Sequence, residues 1–152
     1  METIRLPDVF KEFLNLLNEK QVEYLVVGGY VVNIYGYNRA TGDIDIWVAV
    51  SAENSARVVE VFHDFGFGSL GLEPDAFNKE NLILNIGVKP LKIEVMTSIA
   101  GVDFDECFQQ RVEYIVDGVK LNVISFDHLL HNKKSTGRLK DLADAEELEK
   151  YR

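Results

Sequence analysis

The sequence predicts an α/β (α+β) protein with a mixed β-sheet flanked by helices. Three observations lead to this class. Helical apolar stripes and short strand patterns mingle along the 152 residues, the first half contains a βαβ start, and the second half contains two hairpin patterns. The length suits a single domain with one core, residues 1–152, which ends in a helical segment at about 126–151.

Each element has a local signal. Pro7 opens the first helix, and Ser51 is placed to cap a later one. Gly28-Gly29 ends the first strand, Gly36 closes the short helix after it, and Asp117-Gly118 is a two-residue hairpin turn. The expected helices span residues 7–20, 30–35, 52–65, 126–134 and 138–151, and the expected strands span 23–27, 43–50, 82–86, 91–96, 111–116 and 119–124.

The composition excludes several classes of protein. Hydrophobic residues make up 47% and charged residues 27%, which is typical of a globular domain and not of a disordered chain. No apolar run is long enough to cross a bilayer, and the first residues lack a signal-peptide pattern, so we expect a cytoplasmic protein with no membrane association. Cys107 is the only cysteine, which excludes an intrachain disulfide.

The net charge of -9 argues against a broad surface for nucleic acid, which is usually positive. Residues 133–140 differ, because they carry four cations and no acid. Lys133, Arg138 and Lys140 in this segment are candidate contacts for a triphosphate or for one end of an RNA. The alternative is an ordinary solvated face of a helix and its linker.

Two carboxylates mark the strand at 43–50. Because side chains alternate along a strand, Asp43 and Asp45 share one face, roughly 6–7 Å apart, while Ile44 and Ile46 face the other way. Glu94 has the same setting on the strand 91–96 and reaches the same face if the two strands are neighbours. Three hard oxygen ligands suit Mg²⁺, although an isolated Asp-x-Asp is more often the solvated face of an edge strand.

A glycine turn precedes these acids. Gly28-Gly29 follows an apolar strand and precedes a short helix, where missing side chains let backbone N–H groups approach a phosphate. The pattern is neither a dinucleotide fingerprint nor a P-loop. On its own it is equally typical of a tight strand-to-helix turn.

Together, Val27-Gly28-Gly29, thirteen intervening residues and Asp43-Ile44-Asp45-Ile46 resemble the signature of the polymerase-beta-like nucleotidyltransferase superfamily. The resemblance implies the nucleotidyltransferase fold, a glycine turn that holds the triphosphate of an NTP, and paired acids that bind two Mg²⁺ ions. It gives Glu94 the place of the third acid, with a further role as general base.

Two further segments narrow the resemblance. The pattern Arg39-x-Thr41-x-Asp43-x-Asp45 resembles the small bacterial group related to the AbiEii abortive-infection toxins, and it is also similar to lincosamide-type antibiotic nucleotidyltransferases. The resemblance places Arg39 and Thr41 over the phosphates. The tail from Lys133 through residues 138–144 resembles the helix that closes many members of the first group.

The sequence thus predicts a magnesium-dependent nucleotidyltransferase that moves a nucleoside monophosphate from an NTP to an acceptor hydroxyl. The acceptor stays open between tRNA or a protein, in a toxin–antitoxin setting, and a small molecule such as a lincosamide or aminoglycoside. A catalytically silent module that binds nucleotide or a partner is the competing hypothesis. A homodimer or a partner protein could complete the cleft.

Overall fold

The computed structural model describes residues 5–37, 42–88 and 91–151, with the Val88 side chain outside the description. Six α-helices and six strands lie in these ranges. The helices are α1 (Asp8–Glu19), α2 (Gly29–Ile34), α3 (Ala52–Phe62), α4 (Phe104–Gln109), α5 (Phe126–Ser135) and α6 (Leu139–Glu149), and the strands are β1 (Tyr24–Val27), β2 (Asp43–Val48), β3 (Ile83–Val88), β4 (Leu91–Met96), β5 (Val112–Val116) and β6 (Val119–Val123). None of these helices is both long and apolar enough to span a membrane.

The strands form one mixed sheet in the order β3-β4-β2-β1-β6-β5. The pairs β2–β4 and β1–β6 are parallel, and the other three neighbouring pairs are antiparallel. The predicted fold class is therefore confirmed. Both hairpins are present as predicted, since β3 pairs with β4 and β5 pairs with β6.

The start of the sheet differs from a usual βαβ unit, in which the strands run parallel. Here β1 and β2 are antiparallel neighbours, with Val27 opposite Asp45. The intervening α2 has six residues and is only about 9 Å long, too short to run back along a strand of about 20 Å. The chain therefore turns back at the end of the central strands β1 and β2 where the glycines and acids lie.

A buried asparagine fixes α3 against the sheet. Ser51 Oγ accepts the Asn54 N–H at 3.0 Å, which confirms the predicted cap. The Asn54 side chain accepts from Glu23 N at 2.8 Å and donates to Ala49 O at 2.9 Å, so its buried polar atoms are satisfied by the ends of the neighbouring strands. The helix ends at Phe62, earlier than expected, and a π-helical turn follows.

Candidate functional site

The parallel pairing of β2 with β4 brings the predicted acids together. Asp45 lies directly opposite Glu94, and Asp43 lies opposite Lys92. Residues opposite each other in a parallel ladder project to the same side of the sheet, so Asp43, Asp45 and Glu94 share one face. All three are half-buried, while Ile44 and Ile46, on the other face of β2, are fully buried.

The glycine turn closes directly onto Asp45. Gly28 has φ +75°, in the left-handed region that favours glycine. A Cβ atom added at Gly28 would lie 2.0 Å from Asp45 Oδ2, which is too close for two atoms that are not bonded to each other. The residue is therefore glycine for two reasons, its backbone conformation and the contact with the carboxylate. Gly29 begins α2 and is buried.

The surroundings of the Asp45 carboxyl strongly raise its pKa. Burial, a hydrogen bond with Glu94, and the negative charges of Glu94 and Asp43 together raise the pKa of Asp45 to about 7, against a smaller opposing effect of the Lys133 charge. Asp45 Oδ1 is buried and has no hydrogen-bond partner. An anionic Asp45 is thus unfavourable here unless a cation approaches it.

The donor atoms fit a hard divalent cation, because carboxylate oxygens are the ligands that Mg²⁺ prefers. The buried Asp45 oxygen without a partner, next to Glu94, fits a ligand of such a cation. Within residues 5–37, 42–88 and 91–151, however, no three His, Cys, Asp or Glu side chains stand arranged to hold an ion as they are.

The predicted basic segment has two different parts. Lys133 is 6% exposed, and its Nζ lies 3.0 Å from Asp141 Oδ1 and 3.1 Å from Asp144 Oδ2. Arg138 binds Asp141 through Nε at 2.7 Å, and Lys140 is exposed. The solvated-face alternative therefore describes Lys140 but is wrong for Lys133, whose ammonium group is buried between α5 and α6.

Contacts of Lys133, Arg138 and Lys140 with a nucleotide stay predictions, and Arg39 and Thr41 lie outside the described residues. The sequence reasoning missed the ion-pair partners of Lys133. A signal for them exists, because Asp141 and Asp144 are three residues apart and therefore lie on one face of a helix.

Comparisons with known proteins identify the family and the fold of this chain. The profile of a family described as "Nucleotidyl transferase of unknown function (DUF2204)" matches residues 8–152. No curated protein sequence matches the chain.

The solved structures that share the fold include the following three. A nucleotidyltransferase candidate from Thermotoga maritima is 16% identical, with a TM-score of 0.60 over 99% of this chain and 96% of that one. An antigenic nucleotidyltransferase-like protein from Paracoccidioides brasiliensis is 14% identical, with a TM-score of 0.56 over 95% of this chain and 73% of that one. The lincosamide antibiotic adenylyltransferase LnuA, solved with lincomycin, is 15% identical, with a TM-score of 0.57 over 97% of this chain and 98% of that one. At these identities the likeness shows the fold alone.

The family match covers nearly the whole sequence. The chain therefore belongs to the family described as nucleotidyl transferase of unknown function.

Proposed function

We propose that this protein is a magnesium-dependent nucleotidyltransferase that moves a nucleoside monophosphate from an NTP to an acceptor hydroxyl. Three observations around Asp45 carry the proposal. Asp45 and Glu94 face each other on parallel strands, Gly28 lies against Asp45, and a buried Asp45 oxygen has no partner. If these acids only formed the solvated face of an edge strand, we would expect neither the close glycine contact nor a buried carboxylate oxygen without a partner.

Asp43, Asp45 and Glu94 are the proposed holders of two Mg²⁺ ions. Bound there, the ions would neutralise charge on the triphosphate and on the attacking and leaving oxygens. The backbone at Gly28-Gly29 binds the triphosphate, since neither glycine adds a side chain of its own at the start of α2. Glu94 accepts the proton of the acceptor hydroxyl.

The reaction is an in-line displacement. The acceptor oxygen forms a bond to the α-phosphorus, the bond from that phosphorus to the bridging oxygen breaks, and pyrophosphate leaves. The protein mainly positions the reactants and neutralises charge. Arg39, Thr41, Arg138 and Lys140 are proposed contacts of the phosphates. Lys133 is proposed to supply positive charge close to Asp45, in agreement with its effect on the Asp45 pKa.

Two versions of this function differ in the acceptor molecule. The net charge of -9 favours a cationic small molecule or a protein over extended nucleic acid, and a tRNA or protein acceptor in a toxin–antitoxin setting is the other version. Filter binding of labelled tRNA at moderate salt distinguishes them, because the small-molecule version predicts no retention above that of an unrelated acidic protein.

A silent nucleotide-binding module is the second candidate. It is favoured by one observation, namely that the described acids are not already grouped around an ion position. Four NTPs labelled at the α-phosphate, incubated with Mg²⁺ and cell extract, distinguish the candidates. The enzyme labels a component of the extract, whereas Asp45→Asn does not; the silent module binds nucleotide and labels nothing in either form.

A further inference from the structure

Within the described residues, β3 forms one outer edge of the sheet and has a strand neighbour, β4, on one side only. Leu82 O accepts the Thr97 N–H from the β4 side at 3.0 Å. Successive residues of an antiparallel strand direct their N–H and C=O groups to opposite sides. The backbone groups of Ile83 and Asn85 are therefore directed away from β4, where a further strand can pair with them.

The β3 edge also lacks the charges that usually protect an outer strand. The six residues Ile83–Val88 include no charged side chain, whereas natural edge strands commonly carry charges that keep other strands away. The opposite outer strand, β5, has such a charge in Glu113, which lies 3.3 Å from Lys120 Nζ. Both outer strands expose an isoleucine, Ile83 at 60% and Ile115 at 73%. Charge therefore distinguishes the two edges, and β3 is the one suited to pairing.

A second copy of β3 fits this edge. When Asn85 lies opposite Asn85 of an antiparallel second copy, Ile83 lies opposite Gly87, which has no side chain to obstruct it. On the other face of the sheet Leu84 then lies opposite Ile86, so that apolar side chains meet there. No charge faces another charge in this register. Because each chain has a net charge of -9, an uncharged strand is where two copies approach with little electrostatic repulsion.

We propose that two copies of this chain pair through β3, antiparallel and centred on Asn85, so that their two sheets become continuous. Asn85 lies opposite Glu94 in the ladder of β3 with β4, and residues directly opposite each other share a face. The two acid faces therefore lie on the same side of the joined sheet. The β3 strands of both copies form the floor between the two candidate sites.

The spacing of the strands gives the distance between these sites. Asp45 on β2 is separated from its counterpart in the second copy by five strand spacings, since β4 and β3 of each copy lie between them. At roughly 4.8 Å per spacing, the two Asp45 residues lie about 24 Å apart. The pairing itself does not depend on the proposed function, and a dimer without any transfer activity would leave this inference in place.

Sedimentation equilibrium measures the pairing in solution. From about 1 µM to about 100 µM, the average mass of the native protein should rise from one chain towards two. Ile83→Lys places a cation on the β3 edge and should raise the dissociation constant at least about tenfold. Ile115→Lys makes the same change at an exposed residue of β5 and should leave the constant within about twofold. A native protein that stays monomeric throughout, or equal weakening by the two variants, would overturn the proposal.

A cross-link tests the register and covers the case of an Ile83→Lys variant that does not fold. Asn85→Cys places two thiols opposite each other, where the Cα atoms of a hydrogen-bonded antiparallel pair are about 5.5 Å apart and a disulfide can form. Mild oxidation should convert this variant to a covalent dimer on a non-reducing gel, whereas Ile115→Cys should stay mostly monomeric. The native Cys107 is buried and is common to both variants. A missing Asn85→Cys dimer, or an equal yield from Ile115→Cys, would contradict pairing through β3.

Discussion

Replacing Asp45 by asparagine removes one negative charge from the acidic face and keeps the shape of the side chain. In the folded protein the pKa of Asp45 rises from an ordinary value of 3.8 to about 7, chiefly through burial and through Glu94 and Asp43. A raised carboxyl pKa means that the folded state holds the proton more tightly than the unfolded state. The associated stability is present in full below pH 3.8 and is lost as the pH rises through about 7.

The size of the effect follows from the rise of roughly three pKa units, each worth about 1.4 kcal/mol. Above pH 7 the anionic Asp45 therefore costs the metal-free protein at most about 4 kcal/mol. Structural relaxation and water entering the site reduce this cost to about half. We expect Asp45→Asn to be more stable than the native protein by about 1–4 kcal/mol at pH 8 without metal. The difference should shrink steadily towards pH 4.

Urea unfolding in the presence of EDTA at pH 4, 5, 6, 7 and 8 measures this difference. Asp75→Asn, a charge removal on an exposed loop residue, is the control and should leave the free energy of unfolding within about 0.5 kcal/mol of the native value. Adding Mg²⁺ with a non-hydrolysable NTP should then stabilise the native protein and not Asp45→Asn. An Asp45→Asn variant less stable than the native protein at pH 8, or a difference independent of pH, would refute the electrostatic reasoning.

The remaining predictions concern the glycine corner and the buried lysine. Gly28→Ala should lower the free energy of unfolding in urea by about 2–4 kcal/mol, because it adds a clash with Asp45 to the strain of a positive φ. Gly118→Ala is the control, since Gly118 has φ +81° and open space around it, and it should cost only about 1–2 kcal/mol. Equal costs would show that the contact with Asp45 is unimportant. Lys133→Met should cost about 3–5 kcal/mol, since it removes the buried ammonium group that lies between Asp141 and Asp144. Neutralising Asp141 and Asp144 to asparagine in the same chain should restore part of that stability in thermal melts, and no restoration would contradict the ion-pair assignment.

The sequence predicted the sheet well because strand signals are local. Alternation marked the strand from Asp43, and the Asp117-Gly118 turn marked the last hairpin, whose strands pair as expected. The helix at Phe104–Gln109 was missed because six residues carry too little periodicity. A signal for it was present in Asp103, whose side chain caps the helix by accepting the Glu106 N–H.

The pairing of distant residues was predictable only in part. The alternation along each strand predicted that Asp45 and Glu94 would share a face if their strands were neighbours. The structure shows that β2 and β4 are neighbours, with Asp45 opposite Glu94. The spacing of Asp141 and Asp144 places both on one face of α6, but their contact with Lys133 depends on how α5 packs on α6. The contact between Gly28 and Asp45 likewise depends on the antiparallel return from β1 to β2, which the βαβ pattern did not predict.

Asp45 and Glu94 are proposed to share metal ions beside the glycine corner. Electron paramagnetic resonance of Mn²⁺, used in place of Mg²⁺ with a non-hydrolysable NTP, measures this directly. We expect two Mn²⁺ ions per chain in the native protein and a loss of at least one in Glu94→Gln and in Asp45→Asn, with Asp75→Asn unchanged. Undiminished Mn²⁺ binding in both site variants would contradict the account.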